Sequence, residues 1–265
     1  MLDGLVDTDY YRAYASLERA HWWFRVRNDI LAGVAKRLVG SGSARIANVG
    51  CGTGKTSELL ADLGDVTSVE YDSQCAKVAR ELTGMEIQVG DVLDLDLTSC
   101  SFDLVTAFDV IEHVEDDRRA VTELYRVCAP GGFVCLTVPA LPWLWSEHDD
   151  INHHFRRYTA NSLLAACRGA VGDDIEVVQF GYFNFLLLPL VGGFRLVSRF
   201  KDYLGLSSGT GTGASSDFEA GGSGLGSKLL GWAFGLERSR LVKGAGFPLG
   251  VSLLIVLRKP NSKLE

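Results

Sequence analysis

The run Arg45-Ile46-Ala47-Asn48-Val49 followed by Gly50-Cys51-Gly52-Thr53-Gly54 and then KTSELLADL constrains this chain most. A short apolar strand enters a glycine turn that opens a helix. In a doubly wound α/β sheet this is the crevice in which ligands bind. Glycine lets the backbone approach a ligand closely, and the following helix N-terminus adds partial positive charge. The spacing excludes two nucleotide motifs. A Walker loop needs glycine where Val49 stands, and a dinucleotide fingerprint needs glycine where Lys55 stands. What remains is G-x-G-x-G with Glu70 twenty residues on, at the end of the second predicted strand, placed to accept both ribose hydroxyls.

The remaining pattern predicts the same architecture. Strands are expected at Val66–Glu70, Glu86–Val89, Phe102–Phe108 and Phe133–Val138, with helices over 73–84 and Arg118–Val127 between them. Such alternation specifies right-handed crossovers and a doubly wound, mostly parallel sheet. Residues 9–39 place apolar side chains at helical intervals and form an N-terminal cap over 1–40, broken near His21-Trp22-Trp23-Phe24. The core covers 41–180. A C-terminal helical insert covers 181–265, with a helix over 227–238, a last strand at Val251–Leu257, and a Gly/Ser-rich stretch at about 207–227 expected to be flexible. The whole is read as one domain.

Lys plus Arg number 26 against 33 Asp plus Glu, a net charge of −7, which argues against a nucleic-acid-binding surface. The six cysteines form no C-x-x-C pair and suit a reducing, cytoplasmic compartment. Three acids and no basic residue in the first ten give no secretory signal. The apolar stretches 180–194 and 245–257 fall short of the roughly 20 residues of a spanning helix, though the first suits an apolar acceptor or a peripheral lipid contact.

Five segments, ANVGCGTGKTSELL, VTSVEYD, VGDVLDLDL, FDLVTAFDVIEHVEDD and CAPGGFVCLTVPA, stand in an order and spacing that resemble the class I S-adenosylmethionine-dependent methyltransferases, over roughly residues 20–180. HWWFRVRNDIL and LPWLWSEHDDINHHFRRYT narrow the resemblance to small-molecule enzymes related to the quinone-biosynthesis methyltransferases. The resemblance implies a seven-stranded Rossmann-like sheet with an antiparallel last strand. It also implies S-adenosyl-L-methionine as cofactor and S-adenosyl-L-homocysteine as product. Carried over by position, Gly50, Cys51 and Gly52 line the methionine part, Glu70 and Tyr71 the ribose side, Asp91 and Val92 the adenine, and Asp109 the methionine amino group. The Gly/Ser stretch has no counterpart in the family pattern.

Transfer from a sulfonium is an in-line displacement, so the chain supplies alignment, water exclusion and a base where the acceptor must lose a proton. Candidate catalytic residues are His113, His148, His154 and Tyr158, the last three in a segment too rich in histidine, arginine and tryptophan for a plain connection. Trp22, Trp23, Arg25, Trp145, Arg156 and Arg157 are expected at the acceptor. Each has a structural alternative: His113 as a local cap, Asp149, Asp150 and Arg157 as an ion-pair latch, and the tryptophans as ordinary packing. No metal is expected at Asp149, Asp150, Asn152 and the neighbouring histidines, because adjacent acids point apart and no ligand spacing recurs. The alternatives to methyl transfer are a scaffold or sensor that keeps the cofactor site, and a cofactor-assisted cyclase.

Overall fold

The structure, a computed structural model, describes residues 8–173, 175–189, 191–193 and 225–261. The Gly/Ser-rich stretch falls almost wholly outside them. Two helices come first, α1 (Thr8–Ala20) and α2 (Trp22–Val39), broken where His21 turns to cap α2 by accepting from the Trp23 backbone N–H. The alternating core follows as β1 (Ala44–Val49), α3 (Lys55–Leu60), β2 (Gly64–Glu70), α4 (Ser73–Thr83), β3 (Ile87–Val89), β4 (Phe102–Phe108), α5 (Asp117–Val127) and β5 (Cys128–Pro139). Then come α6 (Glu147–Ile151), α7 (Ala160–Val171), β6 (Glu176–Phe183), α8 (Leu225–Val242) and β7 (Ser252–Arg258).

Local chemistry sets the boundaries. Asp72 caps α4 by accepting from the N–H groups of Gln74 and Cys75, and Gly84 ends that helix in the left-handed region at φ 68°. Thr159 and Ser162 form a reciprocal capping box at the start of α7. The segment 139–158 contains the short helix α6, started by a second capping box between Ser146 and Asp149.

The seven strands run in the order β3-β2-β1-β4-β5-β7-β6, with β7 antiparallel to both neighbours. Side chains alternate between two cores, as a sheet covered on both faces requires. Ile46, Leu104, Cys135 and Leu254 face α2, α3 and α8, while Ala47, Val105, Leu136 and Ile255 face α5 and α7. Register places the site. Val49 pairs with Val69 and with Ala107, and Phe108 pairs with Thr137, so the residues beyond the ends of β1, β2 and β4 emerge side by side.

The α8 helix packs Phe234 and Leu241, both fully buried, against the α2 side of the sheet. Its Glu237 is also buried, and the carboxylate accepts from the Leu186 N–H at 2.9 Å. Burial raises the Glu237 carboxyl above its ordinary value, against the lowering effect of its backbone hydrogen bonds. The unfolded chain therefore releases this proton first as pH rises through about 4.5, and the residue's contribution to stability falls as pH climbs further. Glu237→Gln should gain stability relative to wild type on going from pH 4 to pH 7 in paired urea unfolding curves; a constant difference would show that the carboxyl titrates normally.

Candidate active site

The three strand ends open into a cavity of about 450 Å³. Its floor is the glycine turn. Gly50 sits at φ 68°, where a Cβ would meet Val110 at 2.4 Å, so no larger residue fits. Gly52, at φ 56°, has nothing within 4 Å of where a Cβ would project, which leaves its backbone open to a ligand. The Gly52 N–H donates to Glu70 Oε2 at 2.8 Å, and the Asp72 N–H donates to Oε1 at 3.1 Å. Burial raises the Glu70 carboxyl above its usual value, against those backbone donors. Glu70, Tyr71, Asp91 and Val92 lie at the neighbouring strand ends, outside the cavity lining. Tyr71 is 67% exposed, and Asp91 accepts from the Leu93 N–H. Val92, expected against the adenine, packs its side chain in the same core cluster as Leu95.

The N-terminal helices form one wall with Tyr14, Glu18, Trp22, Trp23 and Arg27. Thr53 Oγ1 donates to Glu18, which ties α1 to the glycine turn. Arg27 Nη2 lies 2.6 Å from Asp109 Oδ2, and Thr137 Oγ1 donates to Asp109 Oδ1 at 3.0 Å. Asp109 holds a left-handed backbone at φ 56°, which aims its carboxylate at the cap. The expected acceptor residue Arg25 is exposed on the opposite face of α2; Arg27, two residues on, takes the buried position. Helical phase decides this, since 200° separates the two positions.

The opposite wall hangs on Asp149, which is fully buried. Its Oδ1 accepts from Arg157 Nε at 2.7 Å and lies 2.8 Å from His154 Nδ1, while Oδ2 accepts from the Ser146 N–H. Burial pushes the Asp149 carboxyl up, but the hydrogen bonds from His154 and Arg157 outweigh it and hold the group below the usual carboxylate range. Part of the expected latch is thus present, through Asp149 and Arg157; Asp150 instead accepts from Trp145 Nε1. His148, His154, Arg157 and His113 all line the cavity. Burial, with the neighbouring His154, lowers His113 to about 4 and leaves it neutral. The His113 and His154 rings meet edge to face at 4.6 Å.

Three expected site residues are placed elsewhere. Tyr158 is buried with its hydroxyl donating to Asp117 at 2.9 Å, and burial raises that hydroxyl far above its ordinary value. Arg156 pairs with the same Asp117 and donates to the Glu115 carbonyl. Trp145 is committed to Asp150. None of the three lines the cavity, because α5 supplies an acid that draws both Tyr158 and Arg156 away from it.

Sequence reasoning missed Glu18 and Glu112, and reached Arg27 only as the end of the aromatic cluster that begins at Trp22. Glu112 lines the cavity with no exposed surface, and neither carboxyl oxygen has a hydrogen-bond partner. Burial holds its carboxyl well above the ordinary value, with Asp109 adding to the shift. The dipeptide Glu112-His113 was the available signal, and only its histidine was read.

Residues 47–136 match the family described as "Methyltransferase domain". A probable S-adenosylmethionine-dependent methyltransferase of Mycolicibacterium smegmatis is 32% identical over 130 residues, 48% of this chain and 49% of that protein. A 2-methyl-6-phytyl-1,4-hydroquinone methyltransferase of Oryza sativa is 32% identical over 133 residues, 47% of this chain and 37% of that protein. The chain thus spans half or less of the length of these curated relatives. Among solved structures, a [4+2]-cyclase superposes with a TM-score of 0.54 at 20% identity, covering 88% of this chain and 82% of its own, a likeness of fold.

The placement of Tyr158 is directly testable. Tyr158→Phe should cost about 0.5–1.5 kcal/mol in urea unfolding, the value of one hydrogen bond. Ligand affinity at the cavity should stay unchanged in calorimetry; a change there would return the hydroxyl to the site.

Proposed function

We propose that this chain, which belongs to the class I S-adenosylmethionine-dependent methyltransferases, transfers a methyl group to an oxygen, nitrogen or carbon atom of a small, partly apolar acceptor. The observation that carries the reading is a single cavity in which the Gly50–Thr53 turn and Asp109 face His148 and His154. The residues fit the cofactor. Gly52 leaves open space above its backbone, Glu70 waits beside the turn for ribose hydroxyls, and Arg27 keeps a buried, unpartnered Nε. Arg27 and Asp109 present a cation and an anion toward the zwitterionic amino-acid end. Asp91 stands on the adenine side.

When bound, S-adenosylmethionine supplies an electrophilic methyl and a thioether leaving group. The chain supplies the rest. Trp22 and Trp23 close one side against water and offer aromatic faces to positive charge. Phe108, Leu187 and Val191 give the acceptor an apolar wall. His148 accepts the acceptor's proton where one must leave, and His154, fixed through Nδ1 by Asp149, orients the acceptor. Arg157 acts on the acceptor only through Asp149, whose charge it holds in place. Among the described residues no helix is long and apolar enough to cross a membrane. All six cysteines are free, which supports a cytoplasmic setting, and the acidic surface favours a small-molecule acceptor over nucleic acid.

Calorimetric titration with S-adenosylmethionine and with S-adenosylhomocysteine should show micromolar binding of both, abolished by Glu70→Ala. His148→Ala should spare that binding and slow transfer about 10²- to 10⁴-fold, followed as the mass gain of a methylated acceptor. Folded protein that binds neither ligand would end the reading, and binding of both with no turnover would favour a scaffold. Binding and turnover with no methylated product would favour a cyclase.

A further inference from the structure

The cavity wall beyond β6 carries a polar group that methyl transfer as described does not use. Asn184 follows the last residue of β6 and Ser252 is the first residue of β7, and both line the cavity together with Leu187, Val191 and Val251. The ladder brings the two together, because Phe183 pairs with Ser252. Asn184 is only 1% exposed. Its Nδ2 donates to Ser252 Oγ at 3.0 Å, while its buried Oδ1 has no hydrogen-bond partner among the described residues. A buried amide oxygen that meets no donor is destabilising, and an apolar residue in its place would carry no such cost.

The backbone holds this side chain where it is. Asn184 has a left-handed conformation at φ 59°, which glycine adopts with less strain. The Leu186 N–H donates to the buried Glu237 carboxylate of α8 at 2.9 Å, and the N–H groups of Asn184 and Phe185 act on the same carboxylate. Glu237 thus fixes the turn, and Ser252 fixes the amide on it. Asparagine in a left-handed turn commonly bonds its own backbone. Here the amide reaches the next strand instead and leaves one acceptor free.

Sheet order supplies a length. Asp109 follows β4 and Asn184 follows β6, with three strand steps between them. Steps of about 4.8 Å set the two strand ends roughly 14 Å apart along one edge of the sheet. The apolar side chains that line the same cavity include Phe108, Leu187, Val191 and Val251.

We propose that Asn184 is a specificity-determining residue, whose Oδ1 accepts a hydrogen bond from a hydroxyl or N–H group at the end of an elongated apolar acceptor, remote from the atom that is methylated. The inference rests on the methyltransferase reading above and narrows its acceptor to a class, a bicyclic or longer apolar body with a terminal donor. An amide oxygen accepts and cannot donate. An ether, ketone or carboxylate oxygen placed against it is repelled, whereas a hydroxyl gives the buried oxygen the bond it lacks. Discrimination of this kind is strong because the wrong ligand leaves the protein's own polar group unpaired.

The test uses full-length protein saturated with S-adenosylhomocysteine, which prevents turnover, and three probes of one shape: β-naphthol, its methyl ether and naphthalene. Ligand-observed NMR reads their Kd values. Wild type should bind β-naphthol at least about ten-fold tighter than either of the others. Asn184→Gly, which keeps the left-handed backbone, should bring the three within about two-fold. Ser252→Ala, which cuts the tie to β7 and keeps the amide, should preserve their order. A residue that only joined β6 to β7 would move stability in both variants and the preference in neither. An undiminished preference in Asn184→Gly, or tighter binding of the methyl ether by wild type, would overturn the assignment. Failure of all three probes to bind would overturn the acceptor class. Titration with S-adenosylhomocysteine separates the two readings. Without that binding the methyltransferase reading falls and takes this inference with it; with it, equal Kd values for the probes remove Asn184 alone.

Discussion

A strand in the middle of a parallel sheet is buried on both faces, so a polar side chain there must find all its partners inside the protein. Asn48, one residue before the end of β1, meets that requirement. Its amide donates to Thr56 Oγ1 and Ser57 Oγ at 2.9 and 2.8 Å, and its Oδ1 accepts from Thr106 Oγ1 at 2.9 Å. Ser68 Oγ on β2 donates to the same Ser57 hydroxyl. Three strands and the first turn of α3 are therefore pinned directly beneath the Gly50–Gly54 turn. The turn's open backbone, the Glu70 carboxylate and the Asp109 carboxylate keep their mutual positions because this buried polar knot fixes the elements that carry them.

The walls carry buried ion pairs in addition to their apolar packing. Arg27 meets Asp109 across 82 residues of sequence, and Arg157 meets Asp149 beside His154. At Asp149 burial favours the neutral acid, and the hydrogen bonds from His154 and Arg157 outweigh it. Glu112 breaks the pattern, since no cation is bonded to it.

Much of this was legible in the sequence because it is periodic or local. Alternating strands and helices gave the sheet, and the helix expected over 73–84 ends at Gly84, whose left-handed backbone closes it. The glycine turn and Glu70 could be located because one strand ends at each. Side-chain destinations in the 139–158 segment were not legible. Tyr158 and Arg156 both go to Asp117, a residue forty positions away that sequence spacing cannot rank above the cavity. Choosing between Arg25 and Arg27 required the phase of α2, which the break at His21 resets.

The order of strands across the sheet differs from their order along the chain, and this sets a sequence of events during synthesis. Among the described residues β6 pairs only with β7, and β7 is what joins it to β5. Until Ser252–Arg258 has left the ribosome, Glu176–Phe183 has no strand beside it and β5 has one bare edge. Unpaired edges are the points at which nascent chains adhere to one another. The five parallel strands and the glycine turn can assemble early, whereas the cavity wall that carries Asn184, Leu187 and Val191 waits for the closing strand. A nascent chain thus acquires the means to grip a nucleoside before it acquires a closed chamber in which to use one.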